Sequence, residues 1–195
     1  MGDAVAGAYH RPGMADFIDE TRDLLRRTPD VLHALLGGLG DTWTSTPDTP
    51  GGWRPRDVVG HLISGELEDW IPRTQRILEQ GTAKTFDAFD RFAHEGRDDD
   101  ATLDQLLIRF AELRAANLVR LDELVQDSDL DRRGLHPALG EVTLRELLAT
   151  WAVHDLDHVA QVYAGMAGSH DRDVGPWKVY LGILLRRDDP AAIPG

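Results

Sequence analysis

His154 and His158 stand four residues apart, a spacing that on an α-helix turns both imidazoles to one side with Cβ atoms about 5–6 Å apart. Two nitrogens so placed suit one metal ion. The spacing alone favours an ordinary pair of core or surface histidines. Leu144, Leu147, Leu148, Trp151, His154, His158 and Val162 fall on a single helical stripe, so both imidazoles continue an apolar face. An imidazole in such a seam loses its water and must recover hydrogen bonds from a partner or a metal. His61 lies on a second stripe with Val58, Leu62, Gly65 and Asp69, and Gly65, one turn on, is expected to relieve crowding around it. Three inward histidines on two helices match a metal site in a bundle core.

Three neutral ligands leave at least one coordination position for water, the arrangement of catalytic rather than structural zinc. A metal there would bring the pKa of bound water towards neutrality. Asp57, Glu68 and Asp155, with Asp157, are the carboxylates near enough along the chain to act as general base or to orient a ligand. Each also reads as solvated helix surface. His154-Asp-Leu-Asp-His158 resembles the zinc-peptidase pattern His-Glu-x-x-His only in outline. Aspartate is one methylene shorter, no suitable third ligand follows, and no sheet is signalled that would bind an extended substrate. Serine-hydrolase, phosphate-loop and dinucleotide patterns are absent.

The elements that must hold these residues are helices. Four amphipathic segments are separated by stretches rich in glycine, proline or aspartate. The first carries Phe17 to Leu39 and is predicted to kink or restart at Thr28-Pro29. The second runs from Pro55 towards Gln80, with a bend expected near Trp70 or Ile71 because Pro72 lacks an N–H. Thr102-Leu-Asp-Gln105 and Thr143-Leu-Arg-Glu146 are capping boxes that open the third and fourth. The third buries Leu103, Leu106, Leu107, Phe110, Leu113, Leu118, Leu121 and Leu124, interrupted by Asn117. Trp177 to Leu185 reads as a short extra C-terminal helix, with a loose end from Arg187. Trp53, Trp151 and Trp177 are expected in the core. The segment 81–100, with Phe86, Phe89, Phe92 and His94, reads equally as a lid over the site or as a surface loop.

The totals agree with an all-α fold in one domain across residues 1–195, ordered from about 15 to 185. Of the 195 residues 42% are hydrophobic and 28% charged, too apolar for disorder. A net charge of −13 argues against nucleic acid and anionic membranes as partners. The absence of cysteine excludes disulfides, thiolate nucleophiles and zinc–cysteine sites. Neither a signal-like N-terminus nor an apolar run of about 20 residues is seen, and the cytoplasm is the expected location.

Two stretches carry a family resemblance. Gly52-Trp-Arg-Pro-Arg-Asp-Val-Val-Gly-His61-Leu62 is one; His136-Pro-Ala-Leu-Gly-Glu-Val-Thr-Leu-Arg-Glu-Leu-Leu148, followed by His154-Asp-Leu-Asp-His158-Val-Ala-Gln161, is the other. Together they resemble the DinB/YfiT-like proteins over roughly Ala15 to Leu185. The resemblance implies a four-helix bundle, a divalent ion such as zinc or nickel on the three matching histidines, and a homodimer. It places His136 in a turn before the last long helix, with the cavity wall as a second reading. Relatives often carry serine where this chain has Arg54. The wider superfamily is similar to mycothiol-dependent maleylpyruvate isomerases and bacillithiol-type S-transferases, in which a metal activates a thiol; other members are named metal-dependent hydrolases. The reading that follows is a metal-dependent enzyme activating a thiol or water, with a small molecule or low-molecular-weight thiol as partner. A hydrolase and a non-enzymatic, metal-stabilised binding module are the alternatives.

Overall fold

The computed structural model describes residues 14–187; the expectations for Met1 to Gly13 and for the tail beyond Arg187 lie outside the described residues. Helix α1 spans Met14–Leu36 and does not restart at Thr28 but continues past Pro29 as one helix. Proline at 29 removes the N–H that would bond the Leu25 carbonyl one turn back. Arg114, from another helix, replaces it: its Nη1 donates to the Leu25 carbonyl at 2.7 Å. Thr28 caps nothing, and its hydroxyl turns back to the Leu24 carbonyl.

After a single turn, α2 (Asp41–Thr44), which the linker composition did not signal, helix α3 covers Pro55–Glu68. Arg54 takes the place of a serine cap through Asp57, whose Oδ2 accepts the Arg54 backbone N–H at 3.0 Å. The chain breaks at Asp69 and resumes as α4, Trp70–Gln80. Pro72 cannot bond the Glu68 carbonyl, which accounts for the expected bend. Helices α5 (Leu103–Leu124) and α6 (Leu144–Gly168) both open on their capping boxes. Thr102 Oγ1 accepts the Gln105 N–H at 3.2 Å, and Thr143 Oγ1 accepts the Glu146 N–H at 3.2 Å.

Between α5 and α6 lies an unforeseen antiparallel hairpin, β1 (Arg133–His136) with β2 (Gly140–Thr143). His136 Nδ1 accepts the N–H groups of Ala138 and Leu139, each at 3.1 Å, and so shapes its turn. A 3₁₀ stretch, Gly175–Tyr180, precedes the short last helix α7 (Gly182–Arg187). Trp177 sits on that stretch 71% exposed, so it is not a core residue.

The bundle is four-sided: α5 and α6 each pack against both α1 and α3, with α4 continuing the α3 side. One apolar cluster gathers Leu25, Trp70, Ile77, Phe86, Leu121, Leu148 and Trp151; the other gathers Leu32, Leu36, Val58, Leu62, Phe110 and Val162. The Arg114 guanidinium lies between them, 4.9 Å from the Phe110 ring and 5.2 Å from that of Trp151. Among the described residues no helix is long and apolar enough to cross a membrane.

Candidate metal centre

The three histidines converge. Helix α3 supplies His61 and α6 supplies His154 and His158, and one ligand atom from each lies within 4.8 Å of the others. His154 Nε2 is 3.2 Å from His61 Nε2 and 3.0 Å from His158 Nε2. Zinc–nitrogen bonds of about 2.0–2.1 Å at a tetrahedral angle place two donors about 3.3–3.4 Å apart. Those two separations need to open by only a few tenths of an ångström.

Hydrogen bonds on the far side of two rings fix which nitrogen carries the proton. The Arg91 carbonyl can only accept, so His61 Nδ1, 3.1 Å away, is the protonated nitrogen and Nε2 keeps its lone pair. Gln161 Nε2 donates to Asp48 Oδ2 at 3.1 Å, which turns its Oε1 to His158 Nδ1 at 2.7 Å. His158 Nε2 is therefore also a lone pair. Two lone pairs face one nitrogen of His154, which can offer a proton to only one of them, whereas a cation satisfies all three donors. His154 Nδ1 is buried with no hydrogen-bond partner. Burial pushes the pKa of His61 down to about 3 and that of His154 to about 2, each ring depressed further by its neighbours. Burial lowers His158 as well, against the opposing bond from Gln161. Neutral imidazoles, as metal ligation requires, are the result. The donor set fits a divalent ion.

Of the candidate carboxylates, Asp57 and Asp155 are engaged elsewhere, and Glu68 and Asp157 are the solvated helix surface that each also read as. Asp57 grips Arg54 through both oxygens, at 2.8 and 2.9 Å. Burial would raise its carboxyl, but Arg54 outweighs that and holds it below the usual range. Glu68 is exposed, and so is Asp157. Asp155 is fully buried and faces away from the trio, bonded to Arg114 at 2.6 and 3.0 Å. No carboxylate hydrogen-bonds any of the three rings among the described residues.

Sequence reasoning missed that buried ionic group. Arg114 also binds Glu66 Oε1 at 2.8 Å, and Glu66 accepts in addition from Asn117 at 3.0 Å and from Trp151 Nε1 at 3.2 Å. Asn117 therefore faces the bundle interior, not the histidines. Burial raises the Glu66 carboxyl although Arg114 opposes it. Glu66 follows His61 by five residues and Asp155 adjoins His154, so Arg114 ties together the two helices that carry the three histidines. The signal was the interruption itself: Phe110, Arg114, Asn117 and Leu121 form a stripe with helical spacing.

Gly65 does not relieve His61. A Cβ there would stand 2.9 Å from Trp70 Nε1, so the glycine admits Trp70, whose ring lies 5.1 Å from His154. Trp53 packs against the second apolar cluster and also reaches the site, 4.6 Å from the His61 ring and 6.1 Å from that of His158.

The segment 81–100 covers the site and is fastened there. Phe86 is buried, Phe89 lies 5.7 Å from His61, and His94 packs against Gly60, where a Cβ would come within 3.1 Å. Arg97 donates to Ser64 Oγ and to the Gly60 carbonyl, both at 3.0 Å, and Asp98 takes Arg109 at 2.8 Å. A cavity of about 320 Å³ lies beside the histidines rather than on them, sharing the Trp53 wall and lined also by Phe92 and His94.

Comparison with known proteins agrees with this architecture. The sequence profile of the DinB superfamily matches residues 24–162. A Bacillus licheniformis protein named "Putative metal-dependent hydrolase" is 28% identical over 162 residues, 81% of this chain and 91% of that protein. A Bacillus cereus protein of the same name is 27% identical over 157 residues, 79% of this chain and 88% of its own length. YfiT from Bacillus subtilis, described as "a probable metal-dependent hydrolase with an unusual four-helix bundle topology", superposes with a TM-score of 0.67 at 23% identity. That match covers 84% of this chain and 93% of YfiT.

Proposed function

Because the chain belongs to the DinB superfamily, we propose that it is a metal-dependent enzyme holding one divalent ion, zinc or nickel, on His61, His154 and His158 to activate a thiol or water. The convergence of three neutral Nε2 atoms, two with lone pairs fixed by Arg91 and Gln161, carries this reading. When bound, the ion supplies Lewis acidity and an open position for a small molecule. The chain's own contribution is orientation and dryness. Arg91 and Gln161 hold two rings, Arg114 locks α3 to α6, and Trp53, Trp70 and Phe89 exclude water around the imidazoles.

Thiol transfer is the first reading and hydrolysis the second. A thiol needs no protein base once its pKa is lowered by a metal, and no carboxylate bonds the three rings. The names of the relatives support hydrolysis. A cytoplasmic homodimer is part of the proposal, supported by the exposed Val153, Leu156 and Tyr163 on α6.

Elemental analysis of purified protein tests the centre: one equivalent of metal is expected, lost on His154→Ala. Retention of metal by that variant would falsify the assignment. Assays of metal-loaded protein with low-molecular-weight thiols and an electrophile panel, beside an ester and amide panel, separate the two reactions. Turnover of neither, with a melting temperature that falls on chelation, would leave the ion a structural pin.

A further inference from the structure

The residue that lends its carbonyl to His61 also carries a cation that finds no counter-ion among the described residues. Around the site the other arginines are matched: Arg54 with Asp57, Arg97 and Arg109 with Asp98, Arg114 with Glu66 and Asp155. Arg56 donates to the carbonyls of Asp98 and Asp99. This is a chain with 34 acidic residues against 21 lysines and arginines. Yet among the described residues the Arg91 guanidinium meets no carboxylate and no hydrogen-bond acceptor, only rings. It lies 5.2 Å from the Trp53 centroid and 5.1 Å from that of Phe92. Trp53 in turn stands against His61 and His158. The charge is close enough to depress both of those imidazoles.

Stacking occupies the flat face of a guanidinium and leaves its N–H edge free to take a planar anion in two parallel bonds. We propose that Arg91 is a specificity-determining residue of the three-histidine site and binds the carboxylate of a small-molecule substrate whose reacting group faces the metal. The inference rests on the metal reading above. The planar N–H edge matches the two oxygens of a carboxylate, and Arg54 and Arg56, which could have offered a second guanidinium, are already engaged. The 320 Å³ cavity shares Trp53 and Phe92 with Arg91 but is lined by neither Arg91 nor the three histidines, so the carboxylate would sit outside it, on the exposed edge of the guanidinium. Arg91 and a divalent ion would make this a locally positive spot on an acidic protein, which draws an anion in despite the net charge.

Cobalt(II)-loaded protein, wild type, Arg91→Gln and Arg91→Lys, is titrated with acetate, inorganic phosphate and imidazole, read by the visible cobalt spectrum and by tryptophan fluorescence. Acetate affinity is expected to fall about tenfold or more in Arg91→Gln and less in Arg91→Lys, because lysine keeps charge without the fork. Imidazole, which is neutral, should bind all three within about twofold. Cobalt stoichiometry should not change, since residue 91 keeps its carbonyl. Equal acetate affinity in wild type and Arg91→Gln, or a parallel loss of imidazole binding, would overturn the proposal. Phosphate binding tighter than acetate would overturn the carboxylate assignment. Failure of wild type to take up cobalt refutes the metal centre instead. Acetate-dependent tryptophan fluorescence of the metal-free proteins then decides Arg91: loss in Arg91→Gln supports its role, and an unchanged response removes it.

Discussion

Acidifying the metal-free protein from about pH 7.5 to about pH 5 tests whether the three imidazoles are held neutral inside the bundle. Each ring has a lowered folded pKa, so the unfolded chain binds protons first as pH falls through about 6.5. Stability is therefore intact above about 6.5 and is lost as pH drops towards the folded values of about 3 for His61 and about 2 for His154. At about pH 5 the unfolded rings have gained about 1.5 pH units of protonation free energy, or about 2 kcal/mol each at 1.36 kcal/mol per unit. The pair together costs about 4 kcal/mol, and His158 adds in the same direction. Asp69 opposes this: burial raises its carboxyl to about 6, so it returns about 1 kcal/mol as it protonates in the folded state. The net loss is about 3 kcal/mol. With a urea slope of about 2 kcal/mol per molar, the unfolding midpoint should drop by about 1–2 M. His154→Asn removes one titrating ring, so its stability loss should be smaller by about 2 kcal/mol, or about 1 M in the midpoint at the same slope. A midpoint that is the same at both pH values, or an equal response in His154→Asn, would refute the reasoning.

Arg114→Met leaves Glu66 and Asp155 buried without their cation and should cost about 3–5 kcal/mol in urea unfolding. In a Pro29→Ala background the loss should shrink by about 1 kcal/mol, because the substitution restores a backbone N–H that can satisfy the Leu25 carbonyl from within α1; strict additivity would disprove that link. Gln161→Leu removes the acceptor from His158 Nδ1 and should weaken metal affinity about 10–100-fold in competition with a chromophoric chelator, while metal-free stability changes little. Unchanged affinity would mean that Gln161 does not orient the ring. Leu156→Glu on the exposed face of α6 should shift sedimentation from dimer to monomer with metal content intact; a wild type that sediments as a monomer would sink the dimer.

The convergence of the three histidines was legible because these residues obey helical spacing and share stripes with leucines: His154 and His158 continue the face of Trp151, and His61 follows Val58. Both capping boxes were readable for the same local reason, since each closes within four residues. Arg114, Glu66 and Asp155 were not legible, because a charged side chain reads as surface until its partners, 41 and 48 residues away, are known. The restart of α1, one of two outcomes foreseen at Thr28-Pro29, failed on that same contact. The Gly65 expectation failed because the void it leaves is filled by Trp70, across the Asp69 break. Trp177 was misjudged since size favours burial only where a neighbour exists to cover it. The hairpin escaped notice because its strands, Arg133–His136 and Gly140–Thr143, are four residues each, too short for alternation to stand out.

Arg114 also bears on how the bundle comes together. Its guanidinium is satisfied only when α1 brings the Leu25 carbonyl, α3 brings Glu66 and α6 brings Asp155. An assembly missing any one of them would enclose a bare ion or an orphaned carbonyl, so half-docked intermediates are penalised and closure is pushed towards an all-or-none event. His61 and His154 sit on two of those helices. The ligand geometry therefore arises in the same step as the fold, and a nascent chain would offer a metal no preformed site until α6 has been made.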